Sequence, residues 1–291
     1  MVRCPAKINL FLDVVRRRPD GYHDIDTVMQ AIDLFDELEI EPRRDGALTL
    51  ACSDPTLPTD ERNLVVRAAA ALREATGCRA GARMRLTKRI PTQAGLGGGS
   101  SDAAGALVGL NAAWGLGLPA DQLRDVAAGV GSDVPFFLLG GTARCTGRGE
   151  QVEPVAGAAQ CHYVLVCPHV KVSTAAAYRK LRFPLTPTGL DASMCVYNLV
   201  EGNVETVGRC LYNRLEDPAF SIHPMLSDAK SGLAECGVFA GVCMTGSGSA
   251  LFGLCRPQEA KGACERAAGL GLGRARRVRG IASGVVVHSR R

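Results

Sequence analysis

From Cys4 to Val14 apolar and polar residues alternate as in a strand: Ile8, Leu10, Leu12 and Val14 share one face, and Lys7, Asn9, Phe11 and Asp13 share the other. Arg18 to Asp24 carries the Pro-Asp-Gly of a turn. Beyond it a helical or extended stretch leads to a strand candidate at Glu37 to Glu41, and residues 44–62, rich in Asp, Pro and Thr, read as loop. A helix opens at Asn63, a capping residue type, and ends near Gly77. Arg83 to Ile90 alternates again, with Met84, Leu86 and Ile90 on one face and Arg83, Arg85, Thr87 and Arg89 on the other. Helical spacing returns from about Ser101 to Trp114 and from Pro119 to Val130, where a Gly-rich stretch leads to a strand at Val134 to Phe137.

Periodicity lapses between Gly147 and Gln160, where Gly, Pro and Ala collect, and a boundary there divides the chain into domains 1–155 and 156–291. The second half offers a strand at Tyr163 to Pro168, a helix from about Ser173 to Leu181, a proline-rich loop, then helices through the 200s and from Pro224 to Cys236. Strand, turn and strand follow across Phe239 to Cys255, then a helix near Pro257 to Ala268 and a closing strand at Gly284 to His288. Mixed elements with hairpin-like connections predict an α+β fold rather than a parallel doubly wound sheet.

Composition narrows the class. With 291 residues, 46% hydrophobic and 22% charged, the chain suits a globular protein of one or two domains. No window holds ~18 uninterrupted apolar residues, and the N-terminal apolar run lacks a signal-peptide cleavage site, so a cytoplasmic protein with no membrane partner is expected. Twelve scattered cysteines without a CxxC pair read mostly as small buried hydrophobes rather than metal ligands. The net charge of +5 favours an anionic substrate as easily as nothing. Arg274, Arg276, Arg277 and Arg279 form a basic run that reads as a solvated face; nucleic acid is the less favoured alternative, since aromatics are only 5% of the chain.

The densest candidate chemistry is PTQAGLGGGSSDAA at 91–104. A glycine-rich turn entering a helix leaves backbone N–H groups free beside the positive end of the helix dipole, which suits a polyphosphate; a flexible surface loop would use the same residue types. Gly95, Gly97, Gly98 and Gly99 could take positive φ and approach phosphate oxygens closely. No lysine is present, so this is not a P-loop, and the spacing gives no GxGxxG. Lys7 and Asn9 are a solvated edge or a site. Tyr22 and His23 are a turn edge or, as an aromatic face with a polar ring, a base holder. Asp133 caps a turn or acts chemically. Thr245 to Gly248 makes a second glycine turn, by default a plain hairpin.

In order along the chain these stretches resemble the motifs of the GHMP kinases. PTQAGLGGGSSDAA is similar to their second motif and TGSGSALF (245–252) to their third, while GSDVPFF (131–137) resembles the segment that carries a catalytic aspartate. PAKINLFL (5–12) and the unbroken DGYH (20–23) resemble the signatures of one branch, whose acceptor is a cytidine diphosphate sugar-alcohol. The resemblance implies a two-domain GHMP kinase fold, with an N-terminal domain like ribosomal protein S5 domain 2 and a ferredoxin-like C-terminal domain. It implies ATP-dependent phosphorylation of a 2-hydroxyl, with Lys7 and Asp133 catalytic. Pro91, Thr92, Gln93, Ala94, Gly95, Leu96, Gly97, Gly98, Gly99, Ser100, Ser101 and Asn63 would meet the nucleotide. Asn9, Tyr22, His23, Thr174, Tyr178, Gly246 and Ser247 would meet the acceptor, although VSTAAAY, which holds Thr174 and Tyr178, departs from the usual proline-containing form. Mg²⁺ would bridge the phosphates and touch the Ser101 hydroxyl.

Two rivals share the glycine turns. Another GHMP kinase, for homoserine or mevalonate, would not need DGYH. A non-catalytic nucleotide-binding regulator would usually lack the lysine or the aspartate, and both are present.

Overall fold

A computed structural model describes residues 1–183, 185 and 189–288. β1 (Val2–Arg17) and β2 (His23–Arg43) form a long antiparallel hairpin. Next come β3 (Leu48–Cys52), α1 (Leu64–Thr76) and β4 (Gly81–Thr87); β4 lies antiparallel on β2 and parallel to β3, with α1 as the crossover. The Asn63 side chain accepts from Val65 N at 2.9 Å and Gly77 closes α1 at φ 68°, so both ends of this helix are capped as its sequence predicts. Then follow α2 (Gly98–Ala113), α3 (Ala120–Val130), α4 (Val134–Leu139) and the hairpin of β5 (Thr142–Thr146) and β6 (Gln151–Pro154), docked on β2 through β5.

The second half runs β7 (His162–Cys167), α5 (Thr174–Lys180), α6 (Ala192–Glu201), α7 (Val204–Cys210), β8 (Tyr212–Asn213), α8 (Glu216–Ile222) and α9 (Met225–Glu235). β9 (Gly241–Met244), β10 (Leu251–Cys255), α10 (Ala260–Gly269), β11 (Arg274–Arg279) and β12 (Val286–Val287) complete it. Its sheet has the order β11-β7-β10-β9 with every pairing antiparallel, so the first, second, third and fourth strands stand 4-1-3-2, the ferredoxin-like arrangement. Two short strands of this half return to the first sheet: β8 pairs parallel to β1, and β12 antiparallel to it.

Packing joins the halves. One core lies between α1 to α4 and the first sheet, around Met84, Leu107 and Phe136. A second brings Ile8 and Leu10 of β1 against Tyr163, Cys195 and Phe252, and a third packs Leu12 and Val14 with residues of α8 to α10. Buried Gln30 adds a polar tie: its amide donates to Thr142 Oγ1 (2.7 Å) and Ala159 O (2.9 Å) and accepts from the Tyr163 hydroxyl (2.8 Å). Among the described residues no helix is long and apolar enough to cross a membrane.

Several expectations need correction. The stretch after the first turn is a single strand of 21 residues, because β2 is buried on both faces in its middle and loses the period-2 signature there. Residues 48–52, expected as loop, form β3, and β5 and β6 occupy stretches too short and polar to stand out. VPFF is helix α4 rather than strand, so Asp133 lies between two helices. The basic run is the edge strand β11, with arginines lining an outer edge where charge discourages pairing with another sheet. The closing strand belongs to the first sheet. The proline-rich loop after Leu181 lies partly outside the described residues. Seven of the twelve cysteines are buried.

Candidate active site

A cleft of about 1140 Å³ opens where the halves meet, bordered by β1, the β1–β2 turn, the loop before α2, the start of α5 and the β9–β10 turn. Single-ligand pockets reach roughly 1,000 Å³, so this one has room for two substrates. Every residue that the resemblance assigns to catalysis, the nucleotide or the acceptor borders it except Ser101.

Lys7 points into its floor. Only 3% of the residue is exposed, and its ammonium donates to Asn9 Oδ1 (2.5 Å) and Gly95 O (2.8 Å). Asp133 Oδ2 lies 3.9 Å away on a side chain that is 33% exposed. Burial lowers the pKa of Lys7 below that of an ordinary lysine, and the Asp133 charge works in the opposite direction. Asp133 sits at the N-cap position of α4 but makes no capping hydrogen bond, so the turn-cap reading of this residue fails. Its carboxylate is left facing the lysine.

The glycines of 95–99 divide by task. Gly95 and Gly97 take φ of 77° and 69°, as the turn requires. What excludes a side chain there is protein rather than ligand: a Cβ on Gly95 would strike the Thr245 carbonyl, and one on Gly97 the Phe137 ring. Gly98 and Gly99 are not loop at all but open α2, two to three residues earlier than the apolar spacing suggests. The first intrahelical bond runs from Ser101 N to Gly97 O (2.9 Å), so the amides of Gly98, Gly99 and Ser100 have no carbonyl to bond within the helix. They are the ones a phosphate can use. Ser101, expected to offer both an amide and a metal-binding hydroxyl, offers neither: its N–H is spent on Gly97, and its Oγ is fully buried, without a hydrogen-bond partner and away from the cleft. One residue of helical rotation separates it from Ser100, which does border the cleft.

The third glycine motif locks this loop in place. The Thr245 hydroxyl accepts from Asn9 N (3.0 Å) and lies 3.2 Å from Gly95 O, and Asn213 Nδ2 donates to both Met244 O and Gly246 O at 2.7 Å. Ser247 Oγ meets Thr174 Oγ1 at 2.8 Å, which joins the turn to the start of α5. Neither Thr245 nor Asn213 was singled out from sequence as a bonding partner. Asn213 carries no motif, and the role of Thr245 depends on two strands distant in sequence.

At the other end of the cleft His23 lies between two rings: Tyr178 at 5.0 Å, tilted by 32°, and Phe183 at 5.9 Å, stacked at 15°. Tyr22 borders the same space, with the Arg148 guanidinium 5.2 Å from its ring centroid. Burial, then the neighbouring Arg17, lower the His23 pKa, so the imidazole is neutral near pH 7 and offers one donor and one acceptor. Phe183 and Arg148 escaped the sequence reading; a phenylalanine in a proline-rich stretch and an arginine between glycines carry no local signal.

A buried ionic cluster sits behind the helix start. Lys88 bonds Asp36 and Asp102 (2.6 Å to the latter), and Asp36 Oδ1 also accepts from the amides of Arg89 and Ile90, which fixes the entry to the loop. Burial opposes the Lys88 charge, but the two carboxylates more than offset it and its pKa is raised. Burial pushes the Asp102 carboxyl up to about 7 despite Lys88, and its Oδ1 has no hydrogen-bond partner.

The GHMP kinases N terminal domain family matches residues 63–141 and the GHMP kinases C terminal family residues 195–270. The chain is 47% identical over 249 residues to the 4-diphosphocytidyl-2-C-methyl-D-erythritol kinase of Pelotomaculum thermopropionicum, covering 86% of each chain. It is 41% identical over 260 residues to that of Brevibacillus brevis, covering 89% of this chain and 88% of the relative. Among solved structures, a 4-(cytidine 5'-diphospho)-2C-methyl-D-erythritol kinase aligns with a TM-score of 0.80 and 37% identity, over 97% of this chain and 100% of that one. Homoserine kinase from Cytophaga hutchinsonii aligns over 98% and 96% with a TM-score of 0.74, but at 20% identity this likeness speaks for the fold alone. The chain belongs to the GHMP kinase family and, within it, to the 4-diphosphocytidyl-2-C-methyl-D-erythritol kinases.

Proposed function

We propose that this protein transfers the γ-phosphoryl group of ATP to the 2-hydroxyl of 4-diphosphocytidyl-2-C-methyl-D-erythritol, a step of non-mevalonate isoprenoid precursor synthesis. The observation that carries this reading is one cleft with helix-start amides and the Lys7–Asp133 pair on one side and an aromatic group around a neutral His23 on the other.

Phosphoryl transfer asks a protein for position and charge compensation more than for covalent chemistry. The amides of Gly98, Gly99 and Ser100 hold the β- and γ-phosphates at the positive end of α2, with Asn63 and the 91–97 loop along the rest of the nucleotide. The 2-hydroxyl oxygen attacks phosphorus as the bond to the β-phosphate oxygen breaks, and ADP leaves. Asp133 accepts the hydroxyl proton late in that step. Lys7 has two of its three N–H groups occupied by Asn9 and Gly95, which leaves one for the charge that builds between Asp133 and the γ-phosphate. At the far end Tyr22, Tyr178 and Phe183 stack with the cytosine while His23 reads its edge.

Mg²⁺ fits this site as an ion held mainly by phosphate oxygens and water. Asp102, whose buried Oδ1 is unpartnered, and the Ser100 hydroxyl are the protein oxygens at the cleft that suit it; Ser101 is not. Bound there, it would offset phosphate charge. Among the described residues no group of three His, Cys, Asp or Glu side chains could hold a metal without the nucleotide.

The test is ADP release with the cytidine diphosphate sugar-alcohol beside its uridine analogue, homoserine and mevalonate. Strong preference for the cytidine compound is expected. Equal turnover with the uridine analogue would remove the base-reading role of His23, and turnover only with mevalonate or homoserine would make this a different GHMP kinase. Silence with every acceptor would favour a nucleotide-binding regulator. Tyr22→Ala should weaken acceptor affinity and leave that for ATP unchanged.

A further inference from the structure

The acceptor carries a diphosphate between its base and its reacting hydroxyl, and the residues assigned so far leave that middle section without a cation of its own. The turn between β5 and β6 spans this gap. At one side a Cβ built on Gly149 would lie 3.5 Å from Asp133 Oδ1, and Gly147 O accepts from Ile25 N at 2.8 Å, which ties the turn to the start of β2. Between these glycines, held at φ of 68° and 115°, Arg148 reaches back into the cleft until its guanidinium lies over the Tyr22 ring. It therefore stands between the base-holding rings and the reacting pair.

Its surroundings leave it available. Arg16, Arg18, Arg144 and Arg214 each hold a carboxylate at 2.6 to 2.8 Å, whereas Arg148 meets Glu150 only at 3.7 Å and keeps 30% of its side chain exposed. A guanidinium can give two parallel N–H groups to phosphate oxygens while its face remains on an aromatic ring. We propose that Arg148 binds the diphosphate of the acceptor and so sets where the distant hydroxyl meets Asp133. This inference rests on the cytidine reading of the cleft given above. Arg17 borders the same cleft, but its charge acts on His23, at the base end.

The experiment compares cytidine and cytidine 5'-diphosphate as competitive inhibitors against the acceptor, in the full-length protein and its Arg148→Ala, Arg148→Lys and Arg17→Ala variants. The unaltered protein should bind the diphosphate more tightly than the nucleoside. Arg148→Ala should shrink that preference by ~10- to 100-fold, the worth of a hydrogen bond to a charged group, with cytidine inhibition, the KM for ATP and the thermal midpoint unchanged. Arg148→Lys should recover part of it. Equal weakening of both inhibitors would mean that Arg148 only braces Tyr22, and a loss of preference in Arg17→Ala alone would move the diphosphate to that residue; either overturns the proposal. If neither compound inhibits the unaltered protein, the cytidine reading itself falls, and this proposal with it.

Discussion

Lys7 is a charged residue in a strand whose neighbours are almost all buried, and that setting makes its proton state a measurable quantity. Burial lowers its pKa from the usual 10.5 and the Asp133 charge raises it, so removing that charge must lower it further. The expected outcome is that ¹³C-labelled Lys7, followed by the shift of its ε-carbon, titrates below the range of the exposed lysines, and lower still in Asp133→Asn. An unchanged value in that variant would mean the two groups do not sense each other. Activity that needs the ammonium is complete below the folded pKa and lost as pH rises through it, so the alkaline limb of the rate profile should fall earlier than an ordinary lysine would give. Asp133→Ala and Lys7→Ala should each reduce turnover by ~100-fold or more while circular dichroism remains native. Such residues were legible because a polar side chain inside an apolar run stands out in one dimension. The parts played by Asn213, Phe183 and Arg148, and the bonds that Thr245 makes beyond its own glycine turn, were not, since they come from partners up to 236 positions away.

At the scale of elements, the 91–97 loop is less a flexible ribbon than a joint between α2 and the β9–β10 turn. Gly95→Ala should therefore cost at least ~2 kcal/mol in urea unfolding, because positive φ and a collision with the Thr245 carbonyl act together. Gly99→Ala separates stability from binding. Its backbone is helical and the nearest obstacle to a Cβ is Leu64 Cδ1 at 3.6 Å, so the helix should gain ~0.5–1 kcal/mol. If its amide meets the phosphates, the same methyl should raise the Kd for ATP. A more stable variant with unaltered ATP affinity would take the nucleotide off this face of α2. Caps and a one-sided apolar stripe made α1 legible between Asn63 and Gly77. No such signal marks β2, whose middle is buried on both faces, or β11, an edge strand written in arginines.

For the whole molecule, motif order along the chain pointed to the GHMP kinase fold, but nothing in one dimension reveals how the two halves share their cores. The connection 155–161 between β6 and β7 is where we place the boundary between 1–155 and 156–291. It separates two sheets without separating two stable bodies. Ile8, Leu10, Phe11, Val28 and Ile32 of the first half pack in one core with Tyr163 and Phe252, Leu12 packs in the next with Val164 and Leu251, and β8 and β12 return to β1 from beyond the boundary. Uncovering six such side chains at ~2 kcal/mol each would cost about 12 kcal/mol, as much as the entire stability of a typical domain. The full chain should therefore melt in one calorimetric transition with matching calorimetric and van't Hoff enthalpies, and the fragment 1–155 should expose apolar surface, bind a hydrophobic dye and lack a cooperative transition. Two resolved transitions, or a fragment that unfolds cooperatively without the second half, would show that the cleft joins independent bodies. In that case the Lys7–Gly95–Thr245 contacts could no longer be held together by the fold alone, and the nucleotide itself would have to draw them into register.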